Sequence, residues 1–325
     1  MSAQRDSAAE LILAVDAGGS KTTACLARAT GPANYAILGR GRAGGANPLS
    51  LGFDRAIAAI ADAVTAAAAD ANLPGAFAAR AVFSIAGAAD PEIASEFVRR
   101  AREARLAQRI AVVSDVLPVL AAGVDDGVGI ALIAGTGSVA YGRGEDGRTI
   151  RCGGWGYLLG DDGSGFAIGR AALRLALEDL ENSRGARQPL TTAVLSELQS
   201  TSAAALIKAI YTSSSSRATI ASLTPCVAQS AEGGDPAAKI ILDEAACNLA
   251  QLVARTAQSI GLDNRAIPLA VAGGVLVGSN YLREAVAAQL AAMGSRIQMR
   301  VVADPLEGCL RLAAPEYSGS LVDWQ

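Results

Sequence analysis

Apolar and polar residues alternate in blocks along the first third of the chain, and the blocks predict a mixed α/β unit. Residues 11–16 form an apolar run typical of a buried strand, with 22–28 as its hairpin partner and 33–45 as a third strand. Apolar residues then recur at helical spacing over 54–73, where a Pro-Gly pair ends the pattern. A strand, a helix and a further strand follow, and this last strand ends on Asp115. The elements of this region are therefore three strands, helix, strand, helix and strand.

A similar pattern begins again in the second part of the chain. Residues 127–156 predict three strands joined by a glycine-rich turn and a tight polar turn. Helices are expected over 164–181, in the polar stretch that runs to residue 232, and over 236–262. A strand, a helix, a strand and a closing helix follow from residue 267 onward. Because both halves open with strand, turn and strand, we expect an internal structural duplication.

The composition of the 325 residues bounds the chemistry. They are 51% hydrophobic, enough to fill the cores of two compact domains. The net charge is −3 and no basic cluster is present, which argues against a nucleic-acid surface. The five cysteines are scattered without a CxxC pair, so they suggest neither a disulfide framework nor a structural zinc site. The chain contains no histidine, which removes histidine acid–base catalysis, Ser-His triads and histidine–metal sites.

The sequence indicates neither a targeting segment nor a membrane segment. The first ten residues are polar and mixed in charge, and the apolar run after them is too short for a signal peptide. Every long apolar segment is interrupted by a charge or a glycine, so we expect no membrane span and no membrane partner. These features indicate a soluble cytoplasmic protein.

The first predicted strand leads into a turn rich in groups that bind phosphate. Its chemistry-bearing residues are Asp16, Gly18, Gly19, Ser20, Lys21 and Thr22. Glycines allow a tight turn that presents backbone N–H groups to an anion, and serine, lysine and threonine side chains donate to phosphate oxygens. An acid at a strand end, here Asp16, can hold Mg²⁺ directly or through water. The turn lacks the Walker A and Rossmann spacings, and a glycine-rich hairpin with an N-terminal acid explains it equally well on its own.

A second turn of similar character occurs in the other half of the chain. Gly135, Thr136, Gly137 and Ser138 again follow one apolar strand and precede another. A single turn of this kind is common in hairpins and indicates little. Two of them, one in each half, could clamp a triphosphate between two domains, so the pair favours a nucleotide-binding protein.

Seven short stretches in a fixed order carry a resemblance to a known family. They are "DAGGSKT", "GGANP", "SIAGA", "VVSDV", "IAGTGSVAYG", "CGGWGYLLGDDGSG" and "VAGGV", and they extend from residue 16 to residue 275. Their order resembles the sugar kinase and actin-like ATPase superfamily, and more closely the N-acetylglucosamine kinase and BadF-type ATPase family. The resemblance implies an α/β protein of two ribonuclease-H-like domains, the actin-like ATPase fold, with an ATP cleft between them. We expect these domains at 1–117 and 118–325, with the last helix packing back on the first domain.

Sugar phosphorylation needs a proton acceptor near the attacking hydroxyl, and without histidine a carboxylate is the expected group. Asp115 stands where the family places its catalytic acid, so the resemblance implies that Asp115 is the general base. From spacing alone, Asp115 could equally cap the helix that "VLPVLAAG" predicts. The resemblance also implies a metal role for Asp16, which would hold Mg²⁺.

The resemblance implies two larger sets of binding residues. The ATP-binding residues would be Asp16, Gly18, Gly19, Ser20, Lys21, Thr22, Gly135, Thr136, Gly137, Ser138, Ala221, Gly273 and Gly274. The sugar-binding residues would be Asn47, Asp115, Gly137, Gly153, Gly154, Trp155 and Asp161. The ordinary structural alternatives are an Asn-Pro turn at Asn47, a buried Trp155, and a plain strand-to-helix turn at the Gly273-Gly274 pair.

The resemblance implies an ATP-dependent amino-sugar kinase that uses Mg²⁺ and phosphorylates the 6-hydroxyl of N-acetylglucosamine. Glucosamine and N-acetylmuramic acid are the second and third substrates to consider, and Ala86 replaces a serine that some family members place near the sugar.

Two other classes of function stay open. One is a BadF-type activase, which needs paired cysteine thiolates for an iron–sulfur cluster, and the other is a non-catalytic sugar sensor. A small-molecule amino sugar is the expected partner, bound by a homodimer.

Overall fold

The computed structural model describes residues 10–19, 21–31, 34–85, 87–88, 90–182, 187–314, 322 and 324. Ser20 and Ala86, both named above, lie outside the described residues. The chain divides into two compact units, Met1–Ala122 together with Asp304–Gln325, and Gly123–Ala303. The first unit extends past the boundary expected after residue 117, because the helix that follows Asp115 packs Ala121 into the core of that unit.

Each unit is built on one mixed five-stranded sheet. The strands of the described chain are β1 (Leu11–Ala17), β2 (Lys21–Gly31), β3 (Asn34–Gly44), β4 (Ala78–Ile85), β5 (Ala107–Val113), β6 (Gly129–Ala134), β7 (Ser138–Arg143), β8 (Thr149–Gly153), β9 (Ala266–Ala272) and β10 (Arg296–Val301). The strand order is β3-β2-β1-β4-β5 in the first unit and β10-β9-β6-β7-β8 in the second.

The two sheets share one topology. Strands β1, β2 and β3 form an antiparallel meander, and β4 and β5 continue the sheet in parallel to β1. Strands β6, β7 and β8 form the same meander, with β9 and β10 parallel to β6. Read from β8, the second sheet repeats the first strand for strand, which confirms the predicted internal duplication.

Helices connect and cover the strands in both units. Their bounds in the described chain are α1 (Pro48–Leu51), α2 (Phe53–Asp70), α3 (Pro91–Glu103), α4 (Val116–Gly123), α5 (Gly165–Asn182), α6 (Pro189–Glu197), α7 (Ala203–Tyr211), α8 (Ser216–Ala221), α9 (Thr224–Glu232), α10 (Pro236–Ser259), α11 (Gly274–Gly278), α12 (Asn280–Ala292) and α13 (Leu306–Ala313). Among the described residues, no helix combines the length and the apolar character that crossing a membrane requires.

The sheet of the first unit is buried on both faces. Alternate residues of a strand face opposite sides of its sheet. Leu13 of β1 belongs to a cluster with Phe83 and Phe97, whereas Ile12 belongs to a cluster with Leu310 of α13. Burial on both faces explains why β1 is a continuous apolar run rather than an alternating one. The last helix completes this core although it comes from the far end of the chain.

The second unit buries its sheet under the long helix α10 and a group of shorter helices. Leu132 of β6 shares one apolar cluster with Leu249 and Val253 of α10. The polar stretch that runs to residue 232 is helical as predicted, but it consists of the four short helices α6 to α9. Loops from several helices therefore meet at the carboxyl ends of β6 and β9.

Candidate functional site

In the first unit, Asp16 and Asp115, the predicted metal ligand and the predicted base, lie at the carboxyl ends of parallel strands. Because β1, β4 and β5 run in parallel, their ends lie at one edge of the sheet, where open α/β sheets usually bind ligands. Asp16 lies near the end of β1, Ser84 near the end of β4, and Asp115 two residues beyond β5. The Ser84 hydroxyl donates to Asp16 Oδ1 at 3.0 Å. The fold thus brings Asp16 and Asp115, which are far apart in the sequence, to the same edge.

The surroundings of Asp16 disfavour its charged form. Burial raises the pKa of this carboxyl above its ordinary value of 3.8, and the negative charges of Asp115 and Asp304 raise it further. The Ser84 hydrogen bond and the positive charge of Lys21 act in the opposite direction on the same pKa. A cation bound at Asp16 would offset the unfavourable burial of this carboxylate.

Asp304 is a member of this edge that sequence reasoning missed. Its Oδ1 accepts from the Leu306 N–H at 3.1 Å, and Arg40 Nη1 donates to its Oδ2 at 2.7 Å. Because Asp304 returns to the first unit from the far end of the chain, no local pattern links it with Asp16. The only available signal was an acid followed by Pro305 just before a helix, which is typical of an ordinary helix start.

The turn between β1 and β2 is a tight hairpin. The Gly18 N–H donates to the Lys21 carbonyl, and the Ala46 N–H donates to the Gly18 carbonyl, both at 3.0 Å. No atom of the described residues lies within 4 Å of the point where a Gly19 side chain would begin, and Lys21 is exposed. The backbone at Gly19 and the Lys21 ammonium are therefore the parts of this hairpin that can face an anion.

Two of the predicted ligands in the first unit have local structural roles. Thr22 is fully buried and its hydroxyl has no hydrogen-bond partner within the described part of the chain, so it does not present a donor to an external phosphate. Asn47 caps α1, since its Oδ1 accepts from the Leu49 N–H at 2.9 Å. The hydrogen bond from Ala46 to Gly18 nevertheless places Asn47 beside the hairpin, and its carboxamide NH₂ is a separate donor.

The second turn joins β6 to β7 and is tied to the start of α5. The Gly135 N–H donates to the Gly137 carbonyl at 2.9 Å, and the Gly165 N–H donates to the Gly135 carbonyl at 2.8 Å. Thr136 is exposed. The turn is therefore held from within the second unit and presents its threonine outward.

Asp161 lies against this turn. Its Oδ1 accepts from the Ser138 N–H at 3.3 Å and its Oδ2 from Arg217 Nη2 at 3.1 Å. The Asp161 side chain is only 2% exposed, and its backbone has a φ of +62°, which is uncommon for a residue with a side chain. The Ser138 hydroxyl donates to the Asp162 carbonyl at 2.9 Å, so the side-chain donor that we predicted for a phosphate is engaged inside the protein.

A cavity of about 720 Å³ opens in the second unit at the carboxyl ends of β6 and β9. It brings together four predicted ATP-binding residues, Gly135, Thr136, Ala221 and Gly274. Its other lining residues, which sequence reasoning missed, are Gly165, Ala218, Ser222, Thr224, Pro225, Ala228, Gln229, Glu232, Val275, Gly278 and Ser279. The volume is in the range of small-molecule and nucleotide sites.

The predicted glycine pair has two different physical roles at this cavity. Gly273 has a φ of +90°, and a Cβ on it would lie 2.3 Å from the Ala134 carbonyl oxygen. Only glycine fits this backbone. Across the part of the chain that the structure describes, nothing lies within 4 Å of the position that a Cβ on Gly274 would take, so this glycine leaves the cavity open to a ligand.

The loop after β8 exposes the predicted sugar-binding tryptophan. Gly153 and Gly154 have φ values of +73° and +70°, which turn the chain sharply at the end of the strand. Trp155 is 65% exposed, so the alternative that it is a buried structural residue is wrong. A second cavity of about 160 Å³ lies beside this loop and is also lined by Asn248 and Arg255 of α10, which sequence reasoning missed.

Comparison with known families gives a match over most of the chain. Residues 13–305 match the model of the BadF/BadG/BcrA/BcrD ATPase family. The chain belongs to this family. The resemblance inferred from the seven sequence stretches is therefore confirmed.

Two curated relatives are sugar kinases. An N-acetylmuramic acid/N-acetylglucosamine kinase of Clostridium acetobutylicum is 40% identical over 174 residues, which are 54% of this chain and 56% of the relative. An N-acetyl-D-glucosamine kinase of Dictyostelium discoideum is 36% identical over 148 residues, which are 45% of this chain and 46% of the relative. The chain thus spans about half the length of the curated relatives it matches.

Solved structures resemble the chain over nearly its whole length. A Chromobacterium violaceum protein proposed to be an N-acetylglucosamine kinase has a TM-score of 0.74 and 26% identity, covering 94% of this chain and 99% of that one. A Streptomyces griseus glucokinase of the ROK family has a TM-score of 0.54 and 18% identity, covering 93% and 98%. The second likeness concerns the fold alone. The fold is the α/β actin-like ATPase fold with two units, as predicted.

Proposed function

We propose that the protein is an ATP-dependent amino-sugar kinase that phosphorylates the 6-hydroxyl of N-acetylglucosamine, with Asp115 as the general base. The observation that carries the proposal is the 720 Å³ cavity that ends at the glycine-rich turn after β6. This is the place and shape for a nucleoside whose phosphates follow the turn. Its family and the sugar kinases among its relatives support the same activity.

The cavity suits the adenosine part of ATP. Ala221, Ala228 and Val275 offer apolar surface to a flat base, and Gly274 lets the ligand approach the backbone closely. The exposed Thr136 and the backbone of the turn then meet the phosphates. The base, the ribose and the first phosphates would thus be bound by the second unit.

The first unit supplies the proton acceptor. The oxygen of the sugar hydroxyl attacks the terminal phosphorus, the bond to the bridging oxygen of ADP breaks, and the hydroxyl proton passes to Asp115. Two carboxylates close enough to influence each other's pKa do not both carry full charge easily. Asp115 is a carboxylate within electrostatic reach of Asp16, and a carboxylate beside the proposed metal site is a suitable acceptor for this proton.

Asp16 would hold Mg²⁺, directly or through water. Within the described part of the chain, no group of three or more carboxylate, cysteine or histidine side chains could hold a metal ion. Mg²⁺ commonly binds through one or two carboxylates and completes its shell with substrate phosphates and water, and the partly buried Asp16 fits that pattern. When bound, the ion neutralises charge on the phosphates during transfer.

Each unit carries candidate groups for the sugar. Asn47 offers its carboxamide beside the first hairpin, and Asp161 lies beside the second turn. Trp155 is exposed and can pack on the face of a sugar or an acetyl group. This exposed tryptophan favours N-acetylglucosamine, with glucosamine and N-acetylmuramic acid as the alternatives of the same class.

The cysteines argue against the activase alternative. Cys25 and Cys309 are buried, and burial raises the pKa of the Cys25 and Cys226 thiols to about 11. Iron–sulfur clusters bind thiolates, which these surroundings disfavour.

Coupled ADP release with Mg-ATP tests the proposed function. The panel is N-acetylglucosamine, glucosamine, N-acetylmuramic acid, glucose and no sugar. We expect ADP release that depends on N-acetylglucosamine and is near background without sugar. ADP release at the same rate in all five reactions would show an ATPase instead, and no ADP release with any sugar would contradict the kinase.

A further inference from the structure

We infer that Arg217 is a further catalytic residue, whose guanidinium contacts the terminal phosphate of ATP at the turn formed by residues 135–138. The inference rests on the proposed nucleotide site and adds a positive charge that no sequence motif indicated. Phosphoryl transfer spreads negative charge over the three outer oxygens of the transferred group, and a guanidinium placed there stabilises it.

The position of Arg217 along the fold is the first argument. Helix α8 supplies Ala218 and Ala221 to the wall of the 720 Å³ cavity, and Arg217 precedes them on the same helix. Gly135 and Thr136, the first two residues of this turn, line the cavity. A Cβ on Gly137, the next residue of the turn, would lie 3.0 Å from Arg217 Nη2. A nucleotide whose base fills the cavity and whose phosphates follow the turn therefore extends toward the guanidinium.

The way Arg217 is held is the second argument. Its Nη2 donates to Asp161 Oδ2 at 3.1 Å, and its guanidinium carbon lies 5.4 Å from the centre of the Tyr157 ring. The carboxylate is 2% exposed, whereas the arginine side chain is 41% exposed. One edge of the guanidinium is thus fixed by a buried acid and one face by an aromatic ring, while part of the group reaches the surface.

The third argument concerns the hydrogen-bond donors of Arg217. A guanidinium has five N–H donors. Its Nε is buried and has no hydrogen-bond partner within the described residues. Arg217 is thus held with part of its hydrogen-bonding capacity unused, and the exposed part of its guanidinium, rather than the buried Nε, can donate to an anion at the turn.

The turn is also shaped to accept this ion pair. A Cβ on Gly137 would lie 2.6 Å from Asp161 Oδ2, so any larger residue would displace the carboxylate. Glycine at this position therefore lets both the acid and the arginine approach the backbone that is proposed to bind phosphate.

In the reaction, Arg217 donates hydrogen bonds and keeps its own protons. The new bond forms between the sugar oxygen and the terminal phosphorus. The bond to the bridging oxygen breaks, its electron pair leaves with ADP, and the hydroxyl proton goes to Asp115. The guanidinium contacts the transferred group and lowers the energy of its transition state, so its removal should reduce kcat more than it raises KM for the sugar.

The test compares Arg217→Ala with Arg170→Ala. Arg170 is a matched control, since it is an exposed arginine of the same unit with its guanidinium carbon 5.6 Å from the Phe166 ring centre. We expect kcat to fall about 10³-fold in Arg217→Ala and to stay near wild type in Arg170→Ala. Added guanidinium ion should restore part of the lost rate, and Arg217→Lys should lie between the two. An Arg217→Ala enzyme that matches Arg170→Ala, or that guanidinium does not rescue, would overturn the inference.

A binding measurement separates this inference from the proposed sugar kinase. Calorimetric titration with AMPPNP and with ADP should show a loss of affinity in Arg217→Ala of at least about tenfold for AMPPNP and little change for ADP. If the wild type phosphorylates none of the sugars, the proposed function fails, but this difference still supports the phosphate contact. Equal affinities in variant and wild type, or equal losses for both nucleotides, would overturn the contact with the terminal phosphate.

Discussion

At the scale of single residues, Asp115 is the group whose loss should affect the chemical step most. Asp115→Asn keeps the size of the side chain and removes the proton acceptor. We expect kcat for sugar-dependent ADP release to fall about 10²- to 10⁴-fold, the range attributed to general bases, with the affinity for ADP unchanged. Steady-state kinetics and calorimetry with ADP measure the two quantities.

Asp304→Asn is the control for charge effects at this edge of the sheet. Asp304 raises the pKa of Asp16 through its charge and is held by Arg40. We expect a far smaller loss of kcat than in Asp115→Asn. Equal losses in the two variants would mean that Asp115 acts through the charge balance around Asp16 and not as the base.

Asp16 predicts a pH dependence of stability in the metal-free protein. Because burial raises its folded pKa above 3.8, the folded protein binds this proton more tightly than the unfolded chain does. The contribution of Asp16 to the free energy of unfolding therefore decreases as the pH rises from 3.8 through the raised pKa. Asp16→Asn keeps an oxygen that can accept from Ser84 and removes the charge.

The measurement is urea denaturation in the presence of EDTA across this pH range. We expect Asp16→Asn to be more stable than wild type near neutral pH and to show no such gain below pH 3.8. A variant that is less stable than wild type near neutral pH would show that the charged carboxylate is favoured in the fold.

Gly273 makes a prediction about the nucleotide cavity. With a φ of +90° and the Ala134 carbonyl oxygen 2.3 Å from a Cβ, Gly273→Ala must shift the backbone beside the cavity. We expect a loss of about 1–3 kcal/mol in the free energy of unfolding and weaker ADP binding. Gly233→Ala is the control, since a Cβ there meets nothing nearer than 3.4 Å. Equal stability of the two variants in urea would contradict this account of the turn.

The sequence predicted the site residues next to strand ends, but not those that come from distant segments of the chain. Asp16 and the glycine pair follow apolar runs, so their place at a sheet edge could be inferred from the sequence. Arg217 lies on the short helix α8 and Asp304 in the segment before α13, with no motif around either, and only tertiary structure shows their neighbours. The sequence also did not show that the Thr22 side chain points into the protein, because both faces of its sheet are buried.

At the scale of elements, the packing of α2 on β3 depends on two glycines of the strand. Gly39 and Gly41 are two residues apart and therefore share one face of the sheet. A Cβ on Gly41 would lie 2.0 Å from the Ala63 carbonyl oxygen, and one on Gly39 would lie 2.3 Å from that of Ala67. The alanine-rich helix thus approaches the strand backbone directly.

This close approach gives a matched pair of variants. Gly41→Ala should lower the free energy of unfolding by about 1–3 kcal/mol, since backbone has to move away from backbone. Gly44→Ala, on the same strand, places its Cβ more than 4 Å from every described neighbour and should be close to wild type. Thermal and urea denaturation of both proteins check the difference, and equal stabilities would contradict close packing of α2.

The strands and long helices were predictable because their apolar patterns are strong. The meander of β1, β2 and β3 and the long helix α10 follow directly from runs of apolar residues and from turn residues between them. The division of the polar stretch into α6 to α9 was not predicted. Short helices with few buried residues have weak periodicity, and their ends are set by tertiary contacts.

At the scale of the whole molecule, the repeated strand order explains why each half contributes one phosphate-binding candidate. The first strand of each meander leads into a glycine-rich turn, Gly18-Gly19 in one unit and Gly135-Thr136-Gly137 in the other. The sequence showed this repetition, and the resemblance implied that the last helix packs on the first domain; in the structure the chain from Asp304 onward belongs to the first unit. That contact joins segments nearly the whole chain apart. The homodimer expected from the resemblance stays a prediction.

The most direct test of the account is to identify the phosphorylated product. Purified protein, Mg-ATP and N-acetylglucosamine are incubated, and a ¹H–³¹P correlation spectrum of the mixture is recorded. We predict a new phosphorus resonance that correlates with the two protons on C6 of the sugar. A spectrum that shows only inorganic phosphate beside ADP, or a phosphorus that couples to the proton on C1, would contradict transfer to the 6-hydroxyl.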